Sequence, residues 1–284
     1  MSARLRGIAK ENQAIVAAGG YRSPLGREVT LGPSVARAAE GTRVYGPGPV
    51  AVPDDNTAPG PATAFEVTGE SSLQAARRFT AEAPDPVAVL NFASARNPGG
   101  GYVNGAQAQE EALCRGSALY TCLLRVPDFY AAHRADRSPF YSDRVIHAPA
   151  VPVHRDDRGR LLEEPYAVGF LTSAAPNAGV IARQSPADAA LIPAALASRS
   201  ERVLEVAAAE GYRRLVLGAW GCGVFRNDPA DVARAFRTLL TDGGRFAGRF
   251  ERVVFAVLDR HGDSPARLAF AAAFPAPSPS PSRR

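Results

Sequence analysis

Residues Asn97 to Glu111 read NPGGGYVNGAQAQEE. Gly99, Gly100 and Gly101 give up backbone rigidity at one point, and Gln109, Glu110 and Glu111 place two adjacent carboxylates just beyond it. Three glycines let the backbone press against a ligand, since they have no Cβ and tolerate conformations closed to other residues. Asn97 offers a donor and acceptors suited to sugar hydroxyls. An acid pair can be no more than a solvated helix start, because carboxylates are favoured in a first turn. That explanation weakens when the pair follows a glycine triplet at the end of a strand.

A second stretch has the same character. Gly221, Cys222, Gly223, Val224 and Phe225 follow the apolar run RRLVLGAW, and Asn227 or Asp228 can then cap a helix that has Pro229 at its first position. Strand, glycine loop and helix N-terminus in succession bring backbone N–H groups and the helix dipole onto an anion. A plain tight turn is the competing explanation. The loop is neither a Walker A sequence, lacking the Gly-Lys-Ser/Thr ending, nor G-x-G-x-x-G. Phe225 either packs into the core or walls off a sugar beside the loop.

Both loops need a frame. Strand patterns at AFEVTG, PVAVLNFAS, DRVIHAPAV, YAVGFLTSA, RRLVLGAW and RVVFAVLD alternate with helix patterns at SLQAARRF, SPADAALI, ERVLEVAAAE, PADVARAFRTLL and DSPARLAFAAAF. Ser71 and Ser185 stand where N-caps belong, and Gly211 where a C-terminal glycine does. An opening helix is expected over residues 3–18, ended by Gly19-Gly20. The alternation gives an α/β fold with a mixed, largely parallel sheet between helical layers. In such sheets ligands bind beyond the carboxyl ends of the strands, where both glycine loops fall. Residues 1–63 read as an accessory region packed on the core and 64–274 as the core. Gly46 to Pro61 reads as a breaker-rich loop, and the Pro-Ser tail of residues 275–284 as disordered.

Composition narrows the choices. The chain has 284 residues, 46% hydrophobic and 21% charged, which suits a soluble globular protein. No apolar run is long enough for a membrane helix, and the N-terminus lacks the apolar stretch of a secretory signal. Cys114, Cys122 and Cys222 are odd in number and widely spaced, against a disulfide framework or a zinc site. His133, His147, His154 and His261 lack metal-ligand spacing. A reducing, cytoplasmic location and a monomer are therefore expected. The net charge is +5, carried almost wholly by arginine, with Lys10 the sole lysine. Genomic base composition explains this, and so does an anionic ligand that arginine would pair with. No RNP aromatic motif, helix-turn-helix signal or zinc knuckle suggests sequence-specific nucleic-acid binding, and no G-x-S-x-G elbow appears.

The stretches FEVTGESSLQAARRF, VLNFASARNPGGGYVNGAQAQEEALCRGSALY, SAAPN and LVLGAWGCGVFRNDP together resemble bacterial-type poly(ADP-ribose) glycohydrolases, from about Ala64 to Asp259. The resemblance implies a macrodomain, a three-layer α/β/α sandwich that binds ADP-ribose. It implies hydrolysis of the ribose–ribose bond of poly(ADP-ribose) carried on modified proteins, with no metal and no cofactor. By the same resemblance Glu111 matches the catalytic acid and Glu110 the neighbour that holds ribose hydroxyls. Asn97 and Gly99 to Gly101 match the loop around the terminal ribose, and Gln109 of the signature is counted with the substrate-binding residues. Gly221 to Phe225 match the diphosphate loop, with Phe225 orienting that ribose. A mono-ADP-ribosyl hydrolase and a non-catalytic ADP-ribose reader share the fold. The carboxylate pair argues against the reader, and the Gln-Glu-Glu signature favours the ribose–ribose bond.

Overall fold

A computed structural model of the chain describes residues 2–53, 62–259 and 261–275. The second half of the expected loop over Gly46–Pro61, and all of the Pro-Ser tail beyond residue 275, lie outside the described residues.

The first sixty residues contain more regular structure than their pattern suggested. They form α1 (Ala3–Ala18), β1 (Gly20–Arg22), β2 (Glu28–Thr30), α2 (Gly32–Glu40) and β3 (Arg43–Tyr45). Then come β4 (Ala64–Thr68), α3 (Ser72–Glu82), β5 (Val87–Phe92), α4 (Gln109–Gly116), α5 (Leu119–Leu123) and α6 (Pro127–Ala135). The chain continues through β6 (Val145–Arg155), β7 (Leu161–Ser173), α7 (Ala178–Gln184), α8 (Ile192–Ala209), β8 (Arg214–Leu217), α9 (Pro229–Leu240), β9 (Arg252–Ala256) and α10 (Pro265–Ala273).

Seven strands form one sheet in the order β3-β6-β7-β5-β8-β9-β4. The four pairings from β7 across to β4 are parallel, whereas β6 runs antiparallel to both of its neighbours. β5 shows why its sequence is apolar throughout. Val87 and Val89 face a core shared with α1 to α6, and Ala88 and Leu90 face a second core built with α8, α9 and α10. A strand covered on both faces needs apolar residues at every position. The accessory region does more than pack on this core. β3 supplies an edge strand, and its Arg43 and Tyr45 side chains both hydrogen-bond to Glu210 at the end of α8.

Local signals explain several element ends. Ser71 and Gln74 form a reciprocal cap at the start of α3, each side chain bonding the other's backbone N–H at 3.0–3.1 Å. Gly19 closes α1 with φ +75°, and Gly211 follows α8 with φ +77°. One expectation needs correction. Ser185 makes no side-chain cap, and Pro186–Leu191 is a 3-10 turn that runs into α8 at Ile192, so the two helices expected here are one long helix with a tight entry. Pro193 in the first turn of α8 fixes that start.

Candidate active site

The end of β5 and the start of α4 hold the acid pair. α4 begins at Gln109, whose amide is spent on the scaffold. Its Oε1 accepts from Phe92 N at 2.9 Å, and its Nε2 donates to Leu90 O at 2.8 Å and Ser72 Oγ at 3.1 Å. Gln109, expected among the substrate-binding residues, pins the first turn of α4 to the last residues of β5. The following two residues then turn inward. Glu110 is 2% exposed and Glu111 7%, which removes the explanation of a solvated helix start.

The two carboxyls have different surroundings. Glu110 accepts from Asn91 Nδ2 at 3.2 Å and from Ser94 N at 2.7 Å. Burial pushes its carboxyl up to about 8, the donors from Ser94 and Asn91 oppose the rise, and the charge of Glu111 adds to it. Glu111 Oε1 accepts from Gly101 N at 2.8 Å, while Oε2 is buried and accepts from no group among the described residues. A buried carboxylate oxygen without a protein donor can accept from a bound group.

The glycine triplet is packed against these acids. A Cβ on Gly100, where φ is +56°, would lie 2.5 Å from Glu111 Oε1 and 3.2 Å from Glu110 Oε2. Gly99 has φ +64°, and a Cβ there would meet the Tyr120 ring at 2.8 Å. Asn97 is exposed at the rim, with its carbonyl accepting from Gly100 N at 3.0 Å.

The second loop leaves β8, the strand beside β5. Gly221 takes φ +72°, and a Cβ there would meet Asn227 Nδ2 at 2.5 Å and the Ala175 Cβ at 2.6 Å. Asn227 is not the helix cap. Its buried amide donates to Pro176 O and Gly221 O, tying the loop to the end of β7, and Asp228 caps α9 by accepting from Ala230 N at 2.8 Å. The backbone N–H groups of Gly223, Val224 and Phe225 donate to nothing among the described residues, and Val224 is 75% exposed. Open N–H groups in a turn that leads into a helix N-terminus can receive an anion. Phe225 is half-buried, meets the Tyr141 ring at 5.8 Å and packs against the core. Cys222 is half-buried, and burial raises its thiol to about 12, so it is no thiolate nucleophile.

A cleft of about 370 Å³ adjoins the second loop at Cys222 and Gly223 and the residues entering α4, Gln107 to Gln109. Phe92, Ala219, Val257 and Leu258 give it an apolar lining, while Ser72, Gln109 and Ser264 add polar groups. The structure thus brings Glu110, Glu111, Gly99 to Gly101 and the Gly221–Phe225 loop to one end of the sheet. Sequence reasoning missed Asn91, whose Nδ2 donates to Glu110 and to Thr172 Oγ1 at 3.1 Å. Its only signal was a lone polar residue inside the buried run VAVLNF. The cleft's far wall at Val257, Leu258 and Ser264 left no signal either.

His133, His147 and His154 are buried, and Nε2 of each meets a neighbouring side chain, Ser142, Tyr212 and Asn12 of α1 respectively. Among the described residues no helix is long and apolar enough to cross a membrane.

An acid pair held between two glycine loops at the carboxyl end of a macrodomain-like sandwich suits acid–base cleavage of a glycosidic bond. Comparison with known proteins narrows the class. The family model of the microbial-type PARG (poly(ADP-ribose) glycohydrolase) catalytic domain matches residues 9–156. The solved poly(ADP-ribose) glycohydrolase of Thermomonospora curvata is 50% identical, with a TM-score of 0.90 over 96% of this chain and 100% of its own. Bound to the inhibitor ADP-HPD, the T. curvata enzyme matches with a TM-score of 0.87 at 50% identity, over 95% of this chain and 99% of its own. The Deinococcus radiodurans enzyme in complex with ADP-ribose is 44% identical, with a TM-score of 0.75 over 85% of this chain and 96% of its own. No curated protein matches significantly. The chain belongs to the microbial-type poly(ADP-ribose) glycohydrolase family.

Proposed function

We propose that the chain hydrolyses the ribose–ribose O-glycosidic bond of poly(ADP-ribose) on modified proteins, releasing ADP-ribose, with Glu111 as general acid and base. The observation that carries the catalytic assignment is the buried Oε2 of Glu111, free of protein partners while Oε1 is clamped by Gly101 N.

In this reading the adenosine of the terminal unit lies in the apolar cleft, and its diphosphate meets the N–H groups of Gly223 to Phe225. The distal ribose then falls between Phe225 and the Asn97–Gly101 loop. Glu110 accepts from ribose hydroxyls and fixes the sugar, so that the scissile bond lies beside Glu111. Glu111 gives its proton to the departing 2′-oxygen as the C–O bond breaks. The anomeric carbon develops oxocarbenium character, which the nearby diphosphate charge stabilises. Glu111 then takes a proton from the water that attacks that carbon, and its acid form is restored. Proton transfer of this kind is worth about 10²–10⁴-fold.

The test is digestion of polymer by wild type, with products followed over time. Free ADP-ribose is the expected product. A protein that binds ADP-ribose but leaves polymer intact would refute the proposal.

A further inference from the structure

The reaction has a second half to hold, the polymer that departs. The sheet order fixes where it must lie. The apolar cleft spans the β5, β8 and β9 ends, the carboxylates stand at the end of β5, and the next strand ends belong to β7 and β6. A substrate laid from the cleft across the diphosphate loop to Glu111 therefore points its leaving group at the loop that enters β6.

That loop is built unusually. Tyr141 has φ +60°, a conformation bulky residues rarely adopt. It packs against Ala93, Ala95 and Ala174 at the ends of β5 and β7, meets Phe225 at 5.8 Å and His133 at 5.9 Å, and is held by Tyr141 N donating to Ser138 O at 3.3 Å. The Arg96 guanidinium lies 5.9 Å over the Tyr141 ring, directly before Asn97 of the ribose loop. Arg96 Nη2 donates to Arg137 O at 3.2 Å, and Arg134 Nη1 donates to Arg96 O at 2.7 Å. Arg96, Arg134 and Arg137 are all exposed, and none pairs with a carboxylate among the described residues. The acids of the same loop are engaged elsewhere. Asp136 accepts from Ser138 N, and Asp143 accepts from Arg199 Nε and Ser198 Oγ. Strain retained at a site rim, in a residue that backs an unpaired cation, points to a ligand role.

The geometry points to a leaving-group subsite formed by Arg96, Arg134 and Arg137 over the Tyr141 ring, which holds the nucleoside diphosphate of the departing unit. The planar guanidinium of Arg96, backed by Tyr141, offers a purine a face to stack on. Arg134 and Arg137 supply charge to the following diphosphate. The inference rests on the glycohydrolase reading, because only polymer extends past Glu111 in this direction.

The experiment compares wild type with the combined variant Arg96→Ala, Arg134→Gln, Arg137→Ala. Steady-state cleavage of polymer is measured at low and moderate salt, and ADP-ribose binding by calorimetry. The expected result is a rise in polymer KM of about tenfold with a flatter salt dependence, while the Kd for ADP-ribose stays within about twofold. Arg137→Glu alone, whose side chain bonds nothing in the described protein, is expected to raise polymer KM in the same direction and stands in if the combined variant fails to fold. An unchanged polymer KM, or a parallel loss of ADP-ribose affinity, overturns the subsite. A wild type that releases no ADP-ribose from polymer refutes the glycohydrolase reading and the subsite with it; an active enzyme indifferent to these substitutions refutes the subsite alone.

Discussion

Gly100→Ala tests how tightly the glycine triplet and the acid pair are fitted. The new methyl would sit 2.5 Å from Glu111 Oε1, at a residue whose φ is +56°. Non-bonded carbon and oxygen need about 3.5 Å, so the carboxylate or the loop must retreat by roughly 1 Å. Either movement stretches the 2.8 Å bond from Gly101 N to that oxygen. A displacement of about 1 Å at a reacting group costs on the order of 10²-fold. The left-handed backbone adds a folding cost of about 1–2 kcal/mol for a residue with a Cβ. The assay is initial-rate release of ADP-ribose from polymer, with melting measured on the same samples. Gly48→Ala is the control, since a Cβ there meets nothing within 4 Å among the described residues. A Gly100→Ala enzyme that keeps at least one third of the wild-type kcat would refute the claim that the loop and the carboxylate are mutually fixed.

Three further predictions concern stability. Glu110, raised to about 8 in the folded protein, holds a proton that the unfolded chain releases near pH 4.5, so the contribution of its protonated form is complete below that pH and is lost as pH rises toward 8. Glu110→Gln should abolish that loss, on the order of a few kcal/mol, and equal pH slopes for mutant and wild type in denaturant melts between pH 5 and 8 would contradict it. Asn12→Ala removes buried donors to Cys114 O, Ser117 O and the Tyr102 hydroxyl, and the acceptor facing His154; a loss of about 2–4 kcal/mol in chemical denaturation is expected. Gly7→Ala in α1 places a methyl in open space and should raise stability by about 0.5–1 kcal/mol in the same melts.

The legible parts of this molecule are those in which local chemistry and global role coincide. VAVLNF is apolar because both of its faces are covered, and Ser71 with Gln74 writes a helix start into four residues. Of the glycines read as conformationally free, those at 99, 100 and 221 take positive φ, whereas Gly101 stands at −94° and Gly223 is not among the positive-φ glycines. Long-range contributions were silent. The edge strand β3 is three residues, too short for alternation to speak, and its place beside β6 is set by pairing across a hundred residues. Gln109 read as a ligand residue because it sits in a signature, yet its amide is exhausted by backbone and Ser72. Asn91 is the converse. Its role follows from the depth at which Glu110 is buried, which no spacing reveals. Asn12 lies ninety residues from Tyr102, and only the packing of α1 joins them.

The most direct test of the account is polymer digestion by Glu111→Gln. The substitution keeps the shape of the side chain and leaves an oxygen to accept from Gly101 N, but it can neither give nor take the proton. The account predicts that ADP-ribose still binds while its release from polymer falls by about 10²–10⁴-fold. Release at the wild-type rate would contradict it.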